Sequence, residues 1–251
     1  MTIIISVNFD QNVFLTTLNK IIVKIIVTSV ADIWTEPNTE SERESQVIYG
    51  ETVEVLEDLG RFTKVKCADG ITGFVKSTLL GEWSERDFKL SKQVRNEKMS
   101  FPFGSYLNKK EADYFKTPRR YLHPIEETFI PITLTRKFIG VPYLWGGTSD
   151  FGFDCSGFTQ RLFRFSGKEI PRNSNQQKEA STTISDFNCA LPGDLIFFKG
   201  HVAFYLGQGR IIHANGHYSR ITETDLFDKS AYSKELLEIF EKIGRFKLDA
   251  L

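Results

Sequence analysis

The chain reads as an α+β protein in which a small all-β barrel precedes a domain of helices flanking an antiparallel sheet, and three stretches carry that reading. Residues 21–83 repeat short strands at intervals of about ten residues, closed by glycine turns and without a helical segment. Residues 141–166 run from a glycine-rich lead into a helical pattern, and residues 191–216 form three apolar runs cut by Pro-Gly, Lys-Gly and Gly-Gln-Gly.

The barrel strands are read at 21–30, 46–49, 52–56, 62–67 and 73–75, with turns at Glu36-Pro37-Asn38, Gly50, Gly60 and Asp69-Gly70. Residues 84–129 are polar and irregular, with several prolines, Phe101-Pro102-Phe103-Gly104 and the basic pair Arg119-Arg120; they suit a linker or a reduced second barrel. His123, ahead of Pro124, reads as a loop residue. Residues 130–251 then form the larger domain, and residues 1–20 carry no readable motif.

Within the larger domain, Gly146, Gly147 and Gly152 lead to Asp154, a suitable N-cap, and Phe158, Leu162, Phe163 and Phe165 follow at roughly helical spacing. Cys155 falls in the first turn of that helix. Unpaired amides and the positive end of the helix dipole favour a thiolate there, so Cys155 is the candidate nucleophile and is expected to have a lowered pKa. A buried apolar cysteine is the plain alternative. A second helix is read from near Asn175, and a third over 232–243, with 245–248 closing the sheet.

His201 opens the second of the three strands and His213 lies in the third. Histidine is the side chain suited to accept a thiol proton near neutral pH, and a second one can orient it. Side chains alternate along strands, so both rings share a face only if paired residues have numbers summing to an even value. A three-residue loop at Gly207-Gln208-Gly209, pairing Leu206 with Arg210, meets that condition and sets His213 diagonally from His201. His217 reads as a surface residue.

At 251 residues, with 41% hydrophobic and 25% charged residues, the chain has material for two domains with real cores. Lys plus Arg (32) equals Asp plus Glu (32), which offers no global field for nucleic acid or a membrane surface. The 22 phenylalanines are unusual and suggest core filling. Three cysteines, Cys67, Cys155 and Cys189, are too few and too scattered for a disulfide framework and suit a reducing compartment. The apolar run 1–7 has no basic lead and Lys24 breaks the run 21–27, so neither resembles a signal peptide. No run approaches the roughly 20 residues of a membrane span. A cytoplasmic location without membrane insertion is therefore expected, a secreted or periplasmic one being the alternative if translation starts elsewhere.

Tyr143-Leu144-Trp145-Gly146-Gly147, Phe153-Asp154-Cys155-Ser156-Gly157-Phe158, Ile170-Pro171-Arg172 with Gln176-Gln177, Pro192-Gly193-Asp194-Leu195, His201-Val202 and Ile211-Ile212-His213-Ala214 resemble, in order and spacing, the motifs of the NlpC-type papain-like cell-wall cysteine peptidases. Val30-Ala31-Asp32-Ile33-Trp34, Tyr49-Gly50-Glu51-Thr52 and Gly73-Phe74-Val75 resemble bacterial SH3 domains, which often accompany such hydrolases. The resemblance implies a papain-like peptidase domain behind an SH3-like barrel, with no cofactor and no metal. It implies hydrolysis of the γ-D-glutamyl-L-diamino acid bond of peptidoglycan stem peptides.

In residues, the resemblance implies Cys155 as nucleophile, His201 as base, His213 as orienting residue and Tyr143 as an oxyanion donor. Relatives with an SH3 domain ahead of the peptidase look like recycling enzymes acting on stems with a free L-alanine. Their pocket implies Asp154 and Ser156 at the alanine ammonium, Ser174 along the groove, and an acidic barrel residue, for which Glu36 is the candidate. A tyrosine expected near 70–73 is replaced here by Ile71. The same cysteine and histidines also suit an amidase or acyltransferase on another amide or ester, and a secreted hydrolase of intact murein is a further alternative.

Overall fold

The structure, a computed structural model, describes residues 21–248. The segment 1–20, for which no motif and no signal peptide was expected, lies outside the described residues. Among the described residues no helix is long and apolar enough to cross a membrane.

The amino-terminal unit is a seven-stranded antiparallel sheet. Arg43–Ile48 lies at one edge, followed by Val30–Trp34, Thr72–Lys76, Phe62–Cys67, Thr52–Asp58, Ile22–Ile26 and Leu80–Glu82. Alternation of side chains turns Ile26, Ala31, Ile33, Val47, Val53, Val65 and Val75 inward as its core. The run expected as one strand over 21–30 is two, because the chain bends at Thr28-Ser29 and the second strand continues to Trp34.

Residues 84–129 are more than a bare connection. Phe88–Leu90 pairs with both Tyr106–Leu107 and Leu122–Pro124, so His123 sits in a short strand rather than a loop, and its ring bonds Glu127 at 3.0 Å. A capping box of Asn108 and Glu111 starts the helix Lys109–Tyr114. Leu90, Val94, Phe101 and Leu107 gather around Tyr49, which the barrel supplies.

The larger unit is a six-stranded antiparallel sheet in the order Thr182–Ile184, Phe240–Arg245, Leu195–Phe198, His201–Gly207, Arg210–Asn215, Arg220–Asp225. The helix Cys155–Phe165 packs on the face formed by Val202, Phe204, Ile212 and Ala214. Ala231–Glu238 covers the opposite face, where Ala203, Tyr205 and Ile211 point. That last helix is shorter than the 232–243 its spacing suggests. It stops at Glu238 because Phe240–Arg245 is drawn into the sheet between two strands, burying Ile243. Many of the phenylalanines stack through the first face, Phe103 on Phe138, Phe138 on Phe153, Phe153 on Phe158 and Phe158 on Phe204.

The barrel is locked to the helix Cys155–Phe165 by buried charge. Arg161 and Arg164 reach Glu51 at 2.6 and 2.8 Å, and although burial raises the Glu51 carboxyl, the two guanidiniums outweigh it and hold it down to about 2.

Candidate active site

Asp154 starts the catalytic helix as foreseen: its Oδ1 accepts from Gly157 N at 2.6 Å and its Oδ2 from Gly146 N at 3.0 Å. Only glycine fits at 157, where a Cβ would stand 2.1 Å from the Gly147 carbonyl oxygen. Gly146, at φ +73°, passes under the Arg43 carbonyl of the barrel edge. The glycines thus press the turn before Cys155 against both the helix and the barrel.

Cys155 lines a cavity of about 300 Å³ together with Glu42, Glu44, Trp145, Arg172 and Ser174. Burial pushes its thiol up to about 12, the Asp154 charge adding to the effect, against the opposing amides of Val202 and Ser156 and the Arg172 guanidinium. The lowered pKa expected from the helix end is therefore not found: desolvation outweighs the neighbouring amides and the Arg172 charge. Cys155 rests as a neutral thiol.

His201 and His213 meet at 2.7 Å through Nε2 and Nδ1. Phe204 pairs with Ile212 and Tyr205 with Ile211, so the even register is present. It arises by another route than the three-residue loop. Gln208 and Gly209, both at positive φ, make a two-residue turn closed by Gly207 and Arg210, and a bulge at Leu206 restores the face. Burial pushes His201 down to about 4 and, with the neighbouring His201, pushes His213 well below the imidazole range. His213 is fully buried, Tyr232 stacks near its ring, and its Nε2 lies 3.1 Å from Thr224 Oγ1. With its Nε2 turned to His213, His201 has Nδ1 left over as its second ring nitrogen. A neutral thiol beside a neutral imidazole can pass its proton only as it attacks.

Tyr143 is half-buried, and burial, with the Asp154 charge nearby, pushes its hydroxyl up to about 12, so it remains a donor. Ser174 opens the helix Ser174–Ala180 and faces the cavity. Ser156 and Asp154 line it too, yet both are engaged. Arg172 donates to Asp154 Oδ1 and Oδ2 at 3.0 and 2.5 Å and to Ser156 Oγ at 3.0 Å, and it reaches Ser45 of the barrel at 2.9 Å. Asp154 is therefore a cap and an ion-pair partner rather than an open receiver for an ammonium.

Glu36 does not reach the cavity; its amide faces Ser41 in an outer loop, and Glu42 and Glu44 of the barrel edge stand at the cavity instead. Ile71 packs toward the barrel core. His217 is exposed and stacks on Tyr232 at 4.0 Å. Sequence reasoning gave no role to Glu42, Glu44, Arg172 or Thr224. Arg172 stood in a quoted motif, and Thr224 follows His213 in an alternating strand; either was a signal for a buried polar partner. Among the described residues no group of three His, Cys, Asp or Glu side chains could hold a metal ion.

The sequence profile of the NlpC/P60 family matches residues 140–241, the stretch holding Cys155, His201 and His213, and that of the bacterial SH3 domain matches residues 29–81. The chain carries an NlpC/P60 domain behind a bacterial SH3 domain. A γ-D-glutamyl-L-lysine dipeptidyl-peptidase of Bacillus cereus is 36% identical over 135 residues, which are 50% of this chain and 40% of that protein's length. One of Bacillus subtilis is 29% identical over 82% of this chain and 86% of that protein. The crystal structure of an NlpC/P60 family protein from Bacillus cereus superposes with a TM-score of 0.71 at 21% identity, covering 89% of this chain and 99% of that one. That likeness extends the shared fold across both domains and the segment between them.

Proposed function

We propose that the chain is a cysteine peptidase hydrolysing the γ-D-glutamyl-L-diamino acid bond of peptidoglycan stem peptides, with stems bearing a free amino-terminal L-alanine as its preferred substrates. The observation that carries the reading is Cys155 at the wall of a cavity bounded on one side by the barrel edge, with the 2.7 Å pair of His201 and His213 in the adjoining strands. The names of the two Bacillus dipeptidyl-peptidases support the choice of bond.

In the cycle, His201 Nδ1 takes the Sγ proton as Cys155 attacks the γ-carbonyl of D-glutamate. The developing oxyanion meets the Tyr143 hydroxyl and the Cys155 amide, which has no intrahelical acceptor in the first turn. Protonated His201 gives its proton to the departing amine of the diamino acid. Water, deprotonated by the same ring, then cleaves the thioester and frees the thiol.

Selection for a free amine falls to Glu42 and Glu44. Mass spectrometry of L-Ala-γ-D-Glu-L-Lys and its diaminopimelate counterpart, incubated with the protein and with Cys155→Ala, tests the reading. The unaltered protein releases the L-Ala-D-Glu dipeptide and the variant does not; intact peptide in both samples refutes it.

A further inference from the structure

We infer that Thr224 is a positioning residue that fixes the proton arrangement of the histidine pair, holding His201 Nδ1 free to act as the base. The inference rests on the catalytic reading above and adds to it a residue outside the Cys155, His201 and His213 set.

A neutral imidazole has one N–H and one lone pair. Both nitrogens of His213 are engaged, Nδ1 with His201 Nε2 at 2.7 Å and Nε2 with Thr224 Oγ1 at 3.1 Å. Two arrangements satisfy these bonds. In the first, His201 Nε2–H donates to His213 Nδ1 and His213 Nε2–H donates to the Thr224 hydroxyl, so His201 Nδ1 carries the lone pair that takes the thiol proton. In the second, Thr224 donates to His213 Nε2, His213 Nδ1–H donates to His201, and His201 Nδ1 carries a hydrogen and is useless as a base. The direction of one hydroxyl bond therefore decides whether the pair is active.

Three features select the first arrangement. Burial keeps Cys155 a neutral thiol, and the proton it must lose in the proposed reaction needs a ring lone pair, which only the first arrangement leaves at His201 Nδ1. Thr224 is half-exposed, so its own hydrogen can face water while its oxygen accepts. His213 is fully buried, with Tyr232 stacked near it, so no bulk water replaces Thr224 as the acceptor for its Nε2–H. Register supports the placement: Thr222 is directly opposite His213 and is occupied by Asn215 Nδ2 at 2.9 Å, while Thr224 lies one diagonal step along the same face.

Thr224→Val keeps the shape and removes the acceptor. The pair then avoids a buried N–H without a partner by moving both hydrogens into the second arrangement, since an unpaired lone pair is the lesser penalty. For the stem peptide, kcat is expected to fall roughly 10- to 100-fold with KM changed less than about twofold, and Thr224→Ser to restore it. The chain has 4 histidines, so the ring ¹⁵N resonances of histidine-labelled protein can be assigned by substitution. Nε2–H is expected on His201 and His213 in the unaltered protein and in Thr224→Ser, and Nδ1–H in Thr224→Val. A Thr224→Val protein with full kcat, or with kcat lost and its tautomers unchanged, overturns the inference. The spectra need no turnover: absence of peptide cleavage by the unaltered protein would refute the functional reading alone, and the tautomer shift would still decide the role of Thr224.

Discussion

Arg172 grips Asp154 with both terminal nitrogens, Nη1 3.0 Å from Oδ1 and Nη2 2.5 Å from Oδ2, in a site where the arginine is almost wholly buried. The same guanidinium holds Ser45 of the barrel, so one side chain ties the cap of the catalytic helix to the neighbouring domain.

Removing one partner of a buried pair strands the other charge, which costs roughly 3–5 kcal/mol. Arg172→Met is expected to lower unfolding free energy by that amount in urea titration. Adding Asp154→Asn, which keeps a capping oxygen but no charge, should recover a large part of the loss. Equal or additive losses in the double variant would show that the pairing is not the cause.

What was legible follows from which signals are local. The N-cap at Asp154, the helix behind it and the glycine-punctuated strands are written in consecutive residues, and all are present. The histidine pair was legible because strand alternation is a counting rule, although the bulge at Leu206 that satisfies it was not. Burial was illegible: nothing in the residues around Cys155 says that its thiol is desolvated, or that Arg172 already occupies Asp154. Glu36 was the acidic barrel residue that the resemblance suggested, whereas the turn at Asn38–Ser41 carries the chain on so that Glu42 and Glu44 meet the cavity. The end of the last helix was missed because Leu236, Ile239 and Ile243 keep an apolar spacing across the helix-to-strand change.

Neutral Cys155 gives a labelling pattern opposite to that of a thiolate. Iodoacetamide near pH 7 should modify exposed Cys189 first and Cys155 slowly, with the Cys155 rate still climbing above pH 9. Peptide mapping against time gives the order. A Cys155 rate that is fast and flat from pH 6 to 9 would establish a preformed ion pair instead.

The histidines also set an acid limit on stability. Both are held neutral in the fold, His201 down to about 4, while an unfolded histidine takes a proton near 6.5. Between those values the unfolded chain binds more protons, so stability falls as pH drops, by about 1.4 kcal/mol per pH unit for each histidine well inside the window. Asp150 acts in the opposite sense below pH 6, because burial raises its carboxyl to about 6 and the folded state then binds the extra proton. Urea titrations from pH 7 to 5 should show the loss, made steeper by Asp150→Asn and shallower by His213→Asn. A slope indifferent to both substitutions would refute this assignment.

The charge of the cavity decides which end of a stem peptide it takes. Arg172 is spent on Asp154, and Arg43 on Asp32 at 2.7 Å and on the Trp145 carbonyl at 3.2 Å, so neither cation at the cavity offsets Glu42 and Glu44. Trp145 Nε1 donates to Glu42 Oε1 at 3.1 Å and so orients that carboxylate. An alanine ammonium placed there satisfies both carboxylates, whereas an acetylated alanine leaves them unpaired, Glu44 half-buried and Glu42 exposed. The difference is roughly 1–3 kcal/mol, or about 10- to 100-fold in kcat/KM in favour of L-Ala-γ-D-Glu-L-Lys over its N-acetyl form. Glu44→Gln should erase most of that preference by raising KM for the free amine while leaving the acetylated peptide unchanged. Glu42→Gln should do the same less selectively, since it also loosens Trp145. Equal kcat/KM for the two peptides in the unaltered protein, or a Glu44→Gln loss shared by both, would reject the barrel edge as the amine site.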